Sequence, residues 1–167
     1  YHDSLGRVVK TSTRLLGAGG AEALSQQGVQ FNELGQVDSE QVPNFGVASP
    51  PEAAYTYDDL GRVLEERRPM SGSGLATTAF AYDGLKTTVT DPEGRQTAFT
   101  YNAIGQLVEV LEAAHTTTVE PGNQATTYGY TPFGDLTSII DANGNQRTVQ
   151  YDGRGFLQSV VDPDRGN

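Results

Sequence analysis

Residues 130–166 read YTPFGDLTSIIDANGNQRTVQYDGRGFLQSVVDPDRG, and this stretch repeats itself. Tyr130 is followed, at steps of 4, 7, 3 and 7 residues, by Gly134, Asp141, Gly144 and Tyr151, which makes a unit of 21. The count restarts there: Gly155 stands 4 residues after Tyr151, and Asp162 stands 7 further on. A fixed period of this length marks an array of small supersecondary units stacked side by side, none able to bury its face alone.

The repeat extends outward from this stretch. Tyr101-Asn102-Ala103-Ile104-Gly105-Gln106-Leu107 precedes it, and Tyr57-Asp58-Asp59-Leu60-Gly61-Arg62-Val63 is the most regular copy. Phe31-Asn32-Glu33-Leu34-Gly35-Gln36-Val37 carries Phe in the aromatic slot, and His2-Asp3-Ser4-Leu5-Gly6-Arg7-Val8 carries His. Ala81-Tyr82-Asp83-Gly84 is a degenerate copy, two residues shorter on the way to Asp91. The second half of a unit is Asp91-Pro92-Glu93-Gly94 or Asp141-Ala142-Asn143-Gly144, with a looser copy from Asp162 to Gly166. Gly94 to Tyr101 and Gly144 to Tyr151 are both 7 residues, so this half holds the period too.

These segments read as tandem β-hairpins. Gln146 to Tyr151 is a strand, Asp152 to Gly155 a turn, and Phe156 to Val161 the returning strand. Asp at a turn's first position bonds the backbone ahead, Pro presets φ at the second, and Gly takes the conformation other residues resist. Alternation puts Tyr151 and Val149 on one face and Thr148 and Gln150 on the other, so one face is aromatic–aliphatic and one is rich in Thr and Gln. The period breaks near 13–29, 42–54, 70–76 and 113–124. The first of these, with Gly17-Ala18-Gly19-Gly20 before Ala21-Glu22-Ala23-Leu24, reads as a loop or one helical turn; the others read as irregular excursions. The array begins and stops inside its own pattern without a capping unit, so a piece of a longer protein is expected, and no domain boundary is evident within 1–167.

Composition agrees with an all-β array and removes several function classes. Hydrophobic residues make up 36 % of the 167, which is low for a compact globule. Twenty glycines and eight prolines supply turns, and the Thr and Tyr content suits a pleated surface. Twenty-one acidic against eleven basic residues give a formal charge of −10, which repels phosphate backbones and argues against nucleic acid. No apolar run reaches the ~20 residues of a membrane-spanning helix. With no cysteine, disulfides and thiolate metal sites are excluded.

No catalytic constellation emerges, and neither an enzyme nor a cofactor is expected. The repeat tyrosines (Tyr57, Tyr82, Tyr101, Tyr130 and Tyr151) could stack on sugars or peptides, but one fixed place per unit is first a packing role. Gly61, Gly105, Gly134 and Gly155 lack the strand–loop–helix setting of a phosphate cradle. Asp141-Ala142-Asn143-Gly144-Asn145 looks like the start of a calcium loop, without the downstream bidentate Glu. His2 and His115 have no ligand spacing. Asp58-Asp59 and Glu65-Glu66 are adjacent, and adjacent strand residues point to opposite faces. The residues expected to carry the architecture are Phe31, Tyr57, Tyr82, Tyr101, Tyr130 and Tyr151, with Gly35, Gly61, Gly105, Gly134 and Gly155. The second turn adds Asp91, Gly94, Asp141, Gly144 and Asp162.

Tyr-Asp-x-x-Gly-Arg-Val followed by Asp-Pro-x-Gly resembles the YD repeat of the Rhs family, shared with insecticidal toxin complex C subunits and teneurins. The resemblance runs from His2 to Gly166, with gaps at the four excursions. It implies a long sheet of hairpins spiralling into a hollow shell. It also implies a structural role: a shell segment enclosing a C-terminal polymorphic toxin domain for delivery in interbacterial competition. The partners implied are the rest of the shell, the enclosed toxin and secretion-apparatus proteins, at a secreted or cell-surface location. Asp91-Pro92-Glu93-Gly94 matches the short string of that family's autoproteolytic aspartate site but lacks its surroundings, so no protease role passes to it. The competing reading is a cell-surface adhesion or carbohydrate-binding array. A piece cut from its array is expected to self-associate through exposed sheet edges.

Overall fold

The computed structural model describes residues 1–16, 22–43, 51–70, 74–113 and 124–163. These residues hold thirteen strands and no helix, and every strand lies beside its chain neighbours in the order of the sequence. Contacts divide the chain into two compact units, Tyr1–Ala79 and Phe80–Asn167.

The first unit holds β1 (Lys10–Leu16), β2 (Glu22–Phe31), β3 (Val37–Gln41), β4 (Glu52–Tyr57), β5 (Val63–Pro69) and the opening residues of β6 (Leu75–Asp83). β1 and β2 pair antiparallel over seven residue pairs, from Lys10↔Gly28 to Leu16↔Glu22. This is where the sequence left a loop or a helical turn open for 13–29. Ala, Glu and Leu favour a helix in isolation, but a partner strand supplies the ladder that decides the outcome here. Residues 17–21 lie outside the described residues. Of the other excursions, Glu52 to Ala54 belong to β4 and Leu75 and Ala76 to β6, just after the Met70 amide donates to Gly74 O at 3.0 Å; residues 44–50, 71–73 and 114–123 lie outside the described residues.

The second unit holds the rest of β6 and β7 (Lys86–Thr90), β8 (Gln96–Tyr101), β9 (Leu107–Glu112), β10 (Gln124–Tyr130), β11 (Leu136–Ile140), β12 (Gln146–Tyr151) and β13 (Leu157–Val161). β7–β8 and β8–β9 pair over five residues each, and β9–β10 over four. The short Asp83-Gly84 copy closes with two residues between β6 and β7. Gly84 has φ +56 and Leu85 a negative φ, the sign pattern of a type II′ hairpin turn, which needs no more room.

Neither unit has a conventional core. Among the described residues only Ala53, Ala98 and Ser39 are buried. Small side chains sit where neighbouring side chains close over the sheet: Ala98 pairs with Thr88 on one side and Leu111 on the other. Most other strand residues are half-buried, as a single layer of sheet requires.

Candidate functional site

The candidate site is the set of repeat turns and the contacts between them. In the Asp58 turn, the Asp58 amide donates to Arg62 O and the Gly61 amide donates to Asp58 O, both at 2.9 Å. The Asp58 Oδ1 accepts the amides of Leu60 at 3.0 Å and Arg62 at 2.9 Å, and Oδ2 accepts Arg62 Nε at 2.7 Å. Asp3, Asn32, Asn102, Thr131 and Asp152 hold the same two amides, two and four residues ahead. The glycine three residues after each has φ between +80 and +100, the left-handed region that only glycine enters at low cost.

Asp91 and Asp141 do likewise. Asp91 Oδ1 accepts Glu93 N and Arg95 N, and Asp141 Oδ1 accepts Asn143 N and Asn145 N. Gly94 and Gly144 have φ +81 and +83. The two halves of the 21-residue unit therefore use one and the same turn. The signal was present in the sequence, since each of these glycines has its Asp, Asn or Thr three positions earlier. The aromatic residue and the Pro had made the two halves look different. The Asp141 carboxylate, which resembled a calcium ligand, also takes Asn145 Nδ2 at 2.9 Å, so its oxygens serve the turn itself.

The halves differ in what flanks the turn. Tyr57 pairs with Val63 but Thr56 with Glu65, so Leu64 is an extra residue in the returning strand. The same bulge falls at Asp38, Val108, Thr137 and Gln158. The β7–β8 and β11–β12 ladders, around the Asp91 and Asp141 turns, run without one. A bulge disrupts the ladder locally and re-aims the backbone beside it. The tyrosine of the next repeat reaches that place. Tyr57 donates its hydroxyl to Val37 O at 2.7 Å, Tyr130 to Leu107 O at 2.7 Å, and Tyr151 to Leu136 O at 3.1 Å. Val37, Leu107 and Leu136 each stand directly before a bulged residue. The aromatic anchor thus ties its own repeat to the backbone irregularity of the one before.

The exceptions follow the same logic. Tyr101 comes after the short two-residue hairpin, and among the described residues its hydroxyl makes no bond of this kind. Phe31 has no hydroxyl; the Arg7 guanidinium lies 4.2 Å from its ring centroid instead. Burial, and then the nearby Asp38 carboxylate, push the Tyr57 hydroxyl above its ordinary pKa, which keeps it a neutral donor. Replacing Tyr130 by Phe is expected to cost about 1 kcal/mol, because the Leu107 carbonyl loses its partner. Tyr101→Phe is the matched control and is expected to cost close to nothing; the denaturation midpoints of the two variants make the comparison.

The remaining sequence candidates lie apart. Tyr82 is in β6, and Asp162 follows β13. His2 bridges to Val8, and His115 and Gly166 lie outside the described residues. Asp58 is in a turn, whereas Glu65 and Glu66 are in β5 and pair with Arg67 and Arg68 respectively. Exposed pairs of this kind contribute little. No group of three or more metal-ligating side chains occurs among the described residues.

A feature the sequence reading passed over is the residue just before the turn glycine. Leu5, Leu34 and Leu60 in the first unit, and Ile104 and Phe133 in the second, are 74–95 % exposed. The Asp91 and Asp141 turns carry Glu93 and Asn143 there. Turns that follow an aromatic anchor lie at one end of the strands and the Asp91 and Asp141 turns at the other, so within each unit one rim has apolar tips.

Residues 83–117 and 130–166 match the family model described as RHS Repeat. No curated protein matches the chain. A crystal structure of TcdB2-TccC3-TEV superposes with a TM-score of 0.72 over 95 % of the chain, at 16 % sequence identity. The chain spans 9 % of the length of that one. A second crystal structure, of TcdB2-TccC3, covers 99 % of the chain at 15 % identity with a TM-score of 0.49, and 11 % of its own length is matched. At 16 % identity the likeness to the first is one of fold.

Proposed function

Residues 83–117 and 130–166 match the RHS Repeat family model, and from that premise we propose that the chain is a wall segment of an Rhs-type β-shell that encloses a C-terminal toxin domain until delivery. The observation that carries this reading is a regular sheet with almost nothing buried: Ala53, Ala98 and Ser39 alone among the described residues. A self-sufficient globule is stabilised by its core, whereas a wall is stabilised by contacts along and between its repeats. The tyrosine-to-bulge bonds are contacts of this kind, and each added repeat creates the acceptor for the next. The fold shared with TcdB2-TccC3-TEV supports the same assignment.

In this reading the work is steric. A continuous sheet keeps cargo from its target, and no residue of the wall needs to do chemistry. The exposed Leu, Ile and Phe tips are the rim on which the wall meets the rest of its own shell, since apolar side chains so exposed gain by leaving water. The partners are that shell, the toxin and an export apparatus, and the location is outside the producing cell.

The test is made on the full-length protein. Intact mass spectrometry under native conditions and after denaturation is expected to show a C-terminal piece that stays bound until the shell is unfolded. Protease is expected to spare that piece before denaturation and digest it afterwards. A C-terminal region digested equally fast in both states would overturn the proposal.

A further inference from the structure

Each turn that follows an aromatic anchor has a neighbour one repeat later, and the space between two such turns is usually bridged. The bridge comes from the residue after the turn glycine. A Cβ placed on Gly35 would lie 3.2 Å from Arg7 Nη1, one on Gly61 would lie 3.1 Å from Gln36 Nε2, and one on Gly134 would lie 3.3 Å from Gln106 Nε2. Gln106 also donates to Gly134 O at 3.3 Å. At the last pair of turns the bridging position is Asp135. Its side chain is one methylene shorter than glutamine, and its Oδ2 is bonded back to the Thr131 hydroxyl at 3.2 Å. Nothing lies within 4 Å of a Cβ placed on Gly155, nor of one placed on Gly105, which follows the short Gly84 hairpin.

The unbridged space is a groove of about 760 Å³, lined among others by Phe133, Asp135, Tyr151, Asp152, Arg154 and Gly155. Arg154 is directed to Asp152, with Nε 3.9 Å from Oδ2. Asp135 retains acceptor capacity, since a carboxylate has about four lone-pair sites. The first repeats show what fits such a place. There Arg7 occupies the bridging position, against Gly35 and over the ring of Phe31. Tyr151 and Gly155 are the counterparts of Phe31 and Gly35, and a carboxylate stands where the arginine would be rooted.

We propose that this groove receives the guanidinium of an arginine presented by another polypeptide segment. The incoming arginine takes the place that Arg7 fills from within the chain. Asp135 is its counter-ion and the aromatic residues give it a surface to lie on. Guanidinium is favoured over ammonium because it is planar, stacks on rings and hydrogen-bonds a carboxylate in a fork. The acidic balance of the chain, −10 overall, favours the approach of such a cation.

Isothermal titration of the intact protein with acetyl-arginine amide, its neutral citrulline analogue and acetyl-lysine amide tests this. Arginine is expected to bind about tenfold tighter than citrulline, and tighter than lysine. Asp135→Asn is expected to weaken arginine binding about tenfold. Asp135→Arg and Asp135→Gln restore the bridges found at positions 7, 36 and 106, so both are expected to fold and to abolish binding. Absence of saturable arginine binding overturns the proposal. So does citrulline or lysine binding as tightly as arginine, or arginine binding unchanged in Asp135→Arg.

Discussion

Gly61→Val is expected to destabilise the β4–β5 hairpin by about 2 kcal/mol, the largest effect of any single turn substitution considered. Gly61 has φ +80. There the Cβ of an L-residue crowds the following carbonyl, at a cost of about 1–2 kcal/mol, and a β-branched side chain adds to it. The new Cβ would also meet Gln36 Nε2 at 3.1 Å, so the bridge from the preceding repeat must shift. Gly153→Ala is the internal control. Gly153 has no positive φ and no atom within 4 Å of a built Cβ. Alanine there is expected to be neutral or to stabilise by about 0.5 kcal/mol, through the unfolded chain alone. Urea denaturation of the two variants beside the parent makes the comparison. Equal midpoints would show that the left-handed glycine does not set the turn.

Asp58→Ala is expected to open the same turn locally, with amide exchange at Leu60 and Arg62 about tenfold faster. Alanine removes the acceptor of both amides and of Arg62 Nε together. Asp58→Asn is expected to keep the amides protected, because Asn32 and Asn102 hold theirs in natural turns of this chain. The pair separates hydrogen bonding from charge. The backbone bond from Arg62, outweighing the opposing effect of burial, helps hold the Asp58 carboxyl below its usual 3.8. A carboxyl depressed in the folded state stabilises it above the unfolded value and loses that contribution as pH falls through the folded one. Exchange at Leu60 and Arg62 in the parent should therefore quicken below about pH 3.8, while Asp58→Asn should lack this acid step. An identical acid response in both proteins would assign it elsewhere. Asp3 and Asp141 are lowered as well, Asp3 first by the Arg7 backbone bond and Asp141 first by the Asn145 side chain.

Much of the architecture was legible because turn chemistry is local. The left-handed glycine and the Asp or Asn three residues before it are decided within five residues, and a chain that repeats them announces hairpins. β12 runs from Gln146 to Tyr151 as its pattern predicts, and β13 starts at Leu157, one residue after the expected Phe156. The stretch 13–29 was not legible. Ahead of Phe31 the β1 and β2 segments have neither period nor anchor, and strand pairing between them depends on residues up to 18 apart, Lys10 with Gly28. The bulges were hidden as well, since a bulge is a mismatch between two strands and belongs to neither sequence alone.

The sequence by itself determined the repeat, the all-β class and the turn positions, because each rests on side chains acting on their own backbone. Only the tertiary structure decided what the anchors do. The Tyr57, Tyr130 and Tyr151 hydroxyls bond carbonyls 15 to 23 residues back, and the open groove at Asp135 exists only because its turn lies beside another. Both depend on which strands become neighbours. That is settled by the ladder as a whole, and a hydrogen bond or a vacancy between repeats has no trace in either repeat read alone.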